Sequence, residues 1–139
     1  MTKAALLPVL VQAALTFALL LGMGLWRVWL LQTRQASFKA TALGQPAWPE
    51  GVTKVARAFQ NQLETPMLFY AVVAFAGMLG ALSGGFVAVE WVFVAFRLAH
   101  AAVHVTSNFV PLRFLLFSGA LTALIVLWVV LALAAFAAP

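Results

Sequence analysis

Four long apolar stretches, Ala4 to Leu31, Thr65 to Leu82, Phe86 to Phe109 and Phe114 to Ala138, alternate with short polar segments along the chain. Each approaches or exceeds the roughly 20 residues that cross a bilayer core, and none alternates with the period of a strand. Lipid offers the backbone no hydrogen-bond partners, so such runs predict helices. The pattern therefore predicts an all-α, integral membrane four-helix bundle, one domain over residues 1–139, with spans at about 4–31, 56–80, 86–107 and 111–137.

The polar segments predict the connections. Residues 32–53 are interrupted by Gly44, Pro46, Pro49 and Gly51, which marks a loop with Trp48 at headgroup level. GALSGG, from Gly80 to Gly85, reads as a tight turn, and its Gly80 and Gly84 as small residues that let helices approach closely. In TSNFVP, Thr106, Ser107 or Asn108 is placed to cap a helix that has Pro111 in its first turn.

Polar side chains interrupt the apolar runs in a regular way. In RAFQNQLETP, Arg57, Asn61 and Glu64 are spaced by four and three, which puts them on one narrow arc of a continuous second helix. Glu90, Arg97, His100 and His104 share one face of the third helix. A charge at mid-bilayer costs on the order of 2.5–3.5 kcal/mol, so these stripes face each other or a polar cavity. With the helices antiparallel and a rise of about 1.5 Å per residue, Glu64 comes level with Arg97, Asn61 with His100 and Arg57 with His104. The expectation is a Glu64–Arg97 ion pair at the floor of a pocket. Packing glue between helices accounts for the same spacing equally well. Glu90 lies near the other end of its helix and is expected to reach the headgroups.

The composition, 65% hydrophobic and 8% charged with a mean hydropathy of +1.08, excludes a water-soluble domain. The net charge of +5 is set by topology and does not indicate nucleic-acid binding. Arg27, Arg34, Lys39, Lys54 and Arg57 surround the first connection and Arg113 follows the third, which puts both connections in the cytoplasm and both termini outside it. The first apolar run is too long for a signal-peptide core and is taken as an uncleaved span. There is no cysteine, and two histidines with one nearby carboxylate make a poor metal set, so no metal site is expected.

RAFQNQLETP resembles the helix-2 signature of the MAPEG family, membrane-associated proteins in eicosanoid and glutathione metabolism, in which Arg-x-x-x-Asn-x-x-Glu leads into an apolar helix. RLAHAAVHVTSNFVPLR, from Arg97 to Arg113, resembles the family's second signature. The likeness covers nearly the whole chain and is greatest to the microsomal glutathione transferase and prostaglandin E synthase branch and to small bacterial members. It implies a homotrimer in a bacterial inner membrane, with glutathione bound between neighbouring subunits near the cytoplasmic side. By position, Arg57, Asn61, Glu64, His100 and Arg113 match the family's glutathione contacts; Arg113, beside the N-terminus of the helix that begins at about Pro111, is the candidate to stabilise a thiolate. Arg97 matches an intramembrane arginine. Arg34 is the nearest counterpart of a helix-1 arginine, in a region that aligns poorly.

The sequence also departs from that pattern. His104 stands where many catalytic relatives carry tyrosine, and acts either as a replacement donor or as a cap on the pocket. Gln60 replaces a basic residue, and Phe114 and Phe117 replace serine and tyrosine of the prostaglandin synthase branch, which disfavours prostaglandin synthesis. Two functions follow from the resemblance: a glutathione-dependent transferase or peroxidase acting on lipophilic electrophiles or hydroperoxides, or a non-catalytic membrane protein that binds lipid or a partner. A transporter finds no support in inverted repeats or paired broken helices.

Overall fold

The protein is described by a computed structural model covering residues 3–43 and 48–137, and all its regular elements are helices. In chain order these are α1 (Lys3–Gln32), α2 (Phe38–Ala42), α3 (Glu50–Gln62), α4 (Thr65–Met78), α5 (Gly84–Val105) and α6 (Val110–Ala137). Gly44 and Pro46, expected to break the first connection, and Ala138, at the end of the last apolar stretch, lie outside the described residues.

Among the described residues three helices are by themselves long and apolar enough to cross a bilayer: α1, α5 and α6, the last over Val110–Phe136. The span expected at 56–80 differs, because it is not one helix. α3 stops at Gln62, Glu64 adopts φ −96° and ψ −101°, and α4 resumes at Thr65. Pro66 is the cause. It has no N–H to offer the carbonyl of Gln62, and its ring would collide with that carbonyl in a continuous helix. The Leu63 N–H instead closes a tighter turn on the Gln60 carbonyl at 3.0 Å. α4 alone, at about 1.5 Å per residue, is roughly 21 Å long, short of the ~30 Å hydrocarbon core.

The first connection is more ordered than its composition predicts. Ser37 caps α2 by accepting from the Ala40 N–H, and α3 already begins at Glu50, so Gly51 and Thr53 are helical. Gly51 is required there because the Trp26 indole lies over it; a Cβ would sit 2.6 Å from the ring. Trp48 does not stand alone at the interface but lies under the Arg27 guanidinium, 5.0 Å from its ring centre. Glu50 and Lys54 pair at 2.8 Å one turn apart.

The expected close approach at Gly80 and Gly84 is not observed: nothing lies within 4 Å of where either Cβ would be. Gly80 is needed for its φ of +69°, which ends α4 and lets the Ala81 N–H reach back to the Ala76 carbonyl at 2.9 Å. The close helix approach occurs instead at Gly119 of α6, where a Cβ would fall 2.6 Å from the Phe96 ring of α5.

One apolar core joins α4, α5 and α6, with the Phe69 and Phe93 rings stacked at 4.5 Å between centroids. In lipid such packing holds helices together by van der Waals contact, because burial from water is no longer the driving force. A different device fixes α1. The Gln12 amide, fully buried, donates to the Gln62 side-chain oxygen at 2.9 Å and so ties α1 to the last residue of α3.

Candidate functional site

The polar face of α5 is entirely inward. Glu90, Arg97, His100 and His104 are all buried beside Phe86, Phe93, Val94 and Ala101. Spacings of seven, three and four put these residues under the neighbouring helices, as an unbroken helix requires. Glu90 corrects an expectation: it does not reach the headgroups but is 0% exposed, with neither carboxyl oxygen hydrogen-bonded.

The break between α3 and α4 is where α5 meets the second stripe. Arg97, 0% exposed, directs Nη1 to the Asn61 side-chain oxygen at 2.9 Å and Nη2 to the Asn61 backbone carbonyl at 2.8 Å. The guanidinium thus supplies the hydrogen bonds that the interrupted helix lacks, at the end where helix carbonyls accumulate negative charge. Irregular backbone at membrane depth is tolerated only when protein satisfies it in this way.

The expected Glu64–Arg97 ion pair is therefore not formed. Among the described residues the one side-chain ion pair within 4.0 Å is Glu50–Lys54. Asn61 stands between the two charges, accepting from Arg97 and approaching Glu64 with its amide nitrogen at 3.5 Å. The rungs are displaced because the matched heights assumed a continuous helix through Glu64. With both terminal nitrogens on Asn61, Arg97 is a support for the site's wall.

Beyond Asn61 the chain leaves a cleft of about 270 Å³, lined by Asn61, Glu64, His100 and Arg113 and by Val110, Phe114 and Phe117. Arg113 enters from the first turn of α6, its Nη1 donating to the Asn108 side-chain oxygen at 2.6 Å. His100 lies 2.9 Å from the Arg113 backbone carbonyl through Nδ1. A carbonyl only accepts, so Nδ1 carries the hydrogen, and in the neutral ring Nε2 is left as an acceptor. That atom is buried and has no partner in the chain. The cleft therefore offers a guanidinium to an anion and a carboxylate to a cation, beside apolar side chains.

Of the residues expected at the site, Asn61, Glu64, His100 and Arg113 come together around this cleft. Arg57 is exposed on α3, and Arg34 is exposed just beyond α1 with a φ of 57°; neither lines it. His104 packs edge-on against His100, 5.7 Å between centroids, behind the lining residues. Asn108, considered as a helix cap, has its side-chain oxygen on Arg113 instead, and the Thr106 hydroxyl donates to the Ala102 carbonyl at 2.7 Å. Sequence reasoning missed Gln12 and Gln62. The signal was present in Gln12, whose amide interrupts an otherwise apolar helix.

The sequence model of the MAPEG family matches residues 5–133 of the chain. No curated protein and no solved structure matches it.

Proposed function

The chain belongs to the MAPEG family, and on that premise we propose that it is an integral membrane protein binding glutathione in the cleft between α5, α6 and the break that follows α3, and that it uses the bound thiol as a transferase or peroxidase. The observation that carries this reading is the cleft's composition. Asn61, Glu64, His100 and Arg113 form a polar wall and Val110, Phe114 and Phe117 an apolar one. Glutathione brings two carboxylates, an ammonium and a thiol, and these residues offer complementary groups: Arg113 for an anion and Glu64 for the ammonium. The lipophilic electrophile or hydroperoxide arrives from the bilayer over Phe114, which is 71% exposed.

When bound, glutathione supplies the nucleophilic sulfur. Holding a thiol of pKa near 8.5 about two units lower takes roughly 2.7 kcal/mol. Arg113, in the first turn of α6, is the group that favours the thiolate, helped by the positive end of the helix.

The single-chain cleft supports an assembly. About 270 Å³ lies just under the roughly 300–1,000 Å³ typical of small-molecule sites, and a tripeptide needs a further wall. In this reading a second copy supplies it in a homotrimer, and exposed Arg57 and Arg34 reach the ligand from there. Each chain crosses the bilayer four times, α3 and α4 together making the second crossing, with both termini outside the cytoplasm, in a bacterial inner membrane.

A second reading, a non-catalytic lipid- or partner-binding member, is favoured by the phenylalanines at 114 and 117, which give the cleft no hydroxyl on that wall. A titration of the detergent-purified protein with glutathione separates the two. Saturable thiolate absorbance that disappears in Arg113→Leu, together with turnover of a generic electrophile, supports the enzyme. Binding without turnover supports the second reading, and no binding removes the glutathione site.

A further inference from the structure

Arg113 is held at two points by residues that come from α5 and the turn after it. His100 donates to its backbone carbonyl at 2.9 Å, and Asn108 accepts from its guanidinium at 2.6 Å. The second contact is unusual in its backbone. Asn108 has a φ of 54°, in the left-handed region, where asparagine is among the few residues other than glycine to settle readily. Its N–H closes the end of α5 on the Val103 carbonyl at 2.8 Å. The turn therefore points the Asn108 side chain forward along the chain, towards the first turn of α6, and not back over α5.

We propose that Asn108 is the positioning residue of the cleft: its amide oxygen holds the Nη1 corner of Arg113, so that Nη2 is left for the cleft. The chemistry of the pair supports this. An arginine free to turn on its flexible stem loses rotamer entropy whenever it meets an anion. One held beforehand by a neutral acceptor keeps its full charge and has less freedom left to lose. A carboxylate at 108 would hold the guanidinium equally well but neutralise it. An amide holds it and leaves the charge available. The Nη1–Asn108 bond uses one corner; among the described residues Nη2 has no hydrogen-bond partner, and Nε is buried without one. This role rests on the glutathione reading only in what the guanidinium is held for; that it is held does not depend on the ligand.

Two variants test it. Asn108→Gly preserves the left-handed backbone and removes the acceptor, whereas Asn108→Asp keeps an acceptor and adds charge. The first readout needs no glutathione. Phenylglyoxal modification of Arg113, followed by peptide mass spectrometry on the full chain in detergent, is expected to run about tenfold faster in Asn108→Gly, the factor given by ~1.4 kcal/mol from one lost charge-assisted hydrogen bond. Arg27, which lies over Trp48 and does not line the cleft, serves as the internal reference and keeps its rate. Asn108→Asp modifies no faster than the parent. An Arg113 rate unchanged in Asn108→Gly overturns the proposal. In case that variant does not fold, the parent protein is read directly: nitrogen resonances of the Arg113 Nη atoms that are resolved from each other support the held guanidinium, and a single averaged line overturns it.

The second readout uses glutathione. Both variants raise the apparent pKa of the bound thiol, Asn108→Gly by freeing the arginine and Asn108→Asp by neutralising it, each by about one unit. A parent protein that gives no thiolate signal rejects the glutathione reading, while the modification rates still decide the role of Asn108. A thiol pKa that stays at the parent value in both variants overturns the positioning role itself.

Discussion

The α3–α4 pair and α5 carry comparable polar residues through comparable apolar surroundings, yet they treat them differently. α5 runs unbroken from Gly84 to Val105 and turns Glu90, Arg97, His100 and His104 inward on one face. Across the gap, Pro66 parts α3 from α4, and Asn61 and Glu64 sit at a frayed helix end. The continuous helix can bury its polar groups completely, and in Glu90 it buries one without any partner. The interrupted helix brings Asn61 and Glu64 to the cleft but leaves carbonyls that need a donor. Arg97 joins the two arrangements, spending the buried charge of one on the open backbone of the other. A binding surface inside lipid thus arises where regular structure fails and a neighbour repairs it.

Removing that repair should have the largest effect. Arg97→Leu leaves the half-buried Asn61 carbonyl and side-chain oxygen without their donor, and is expected to cost about 3 kcal/mol of stability from two charge-assisted bonds. Thermal unfolding in detergent measures it, and a loss under about 1 kcal/mol would mean the break is held by other contacts. Next comes the break itself. Pro66→Ala restores an N–H for the Gln62 carbonyl and permits a straight helix, so glutathione binding should weaken about tenfold or more even though the protein does not lose stability. Unchanged affinity in a titration would show that the interruption is incidental.

On the unbroken side the expected sign reverses. Glu90→Leu replaces a buried carboxyl that has no hydrogen bond with an apolar group, and should raise stability by about 1 kcal/mol; a fall in melting temperature would reveal a partner for that carboxyl. The smallest effect belongs to Glu50. The hydrogen bond and charge of Lys54 hold its carboxyl below the ordinary carboxylate range. The group is depressed, so its contribution is present above the unfolded carboxylate value and is lost as pH falls through the lowered one. Exposed to water, the pair is screened, and Glu50→Gln should leave the melting temperature unchanged at neutral pH.

The same contrast explains what could be read from the residues alone. The polar positions of α5 were legible as one face because helical spacing holds along its whole length, although Glu90 on that face was expected at the headgroups and is buried. The stripe at Arg57, Asn61 and Glu64 was legible as a cluster but not as geometry. Its heights came from a rise per residue that stops applying at Gln62, and Pro66, four residues later, was the warning in the sequence. The Glu64–Arg97 pair was consequently placed one rung away from the contact Arg97 makes with Asn61. Gly80 was assigned to packing when its backbone angle was what mattered, whereas the glycine that does admit a neighbour, Gly119, starts a small-residue spacing with Ala123 that was passed over. Asn108 was recognised as a turn residue, but its contact with Arg113 depends on a left-handed backbone that residue type permits without requiring.

The amide pair between Gln12 and Gln62 has a consequence for how the chain is made. The two residues stand 50 positions apart, so the first helix enters the membrane carrying a bare amide whose partner is still being synthesised. A chain cut short before Gln62 would leave that amide without this partner in lipid, where a polar group lacking a partner is costly.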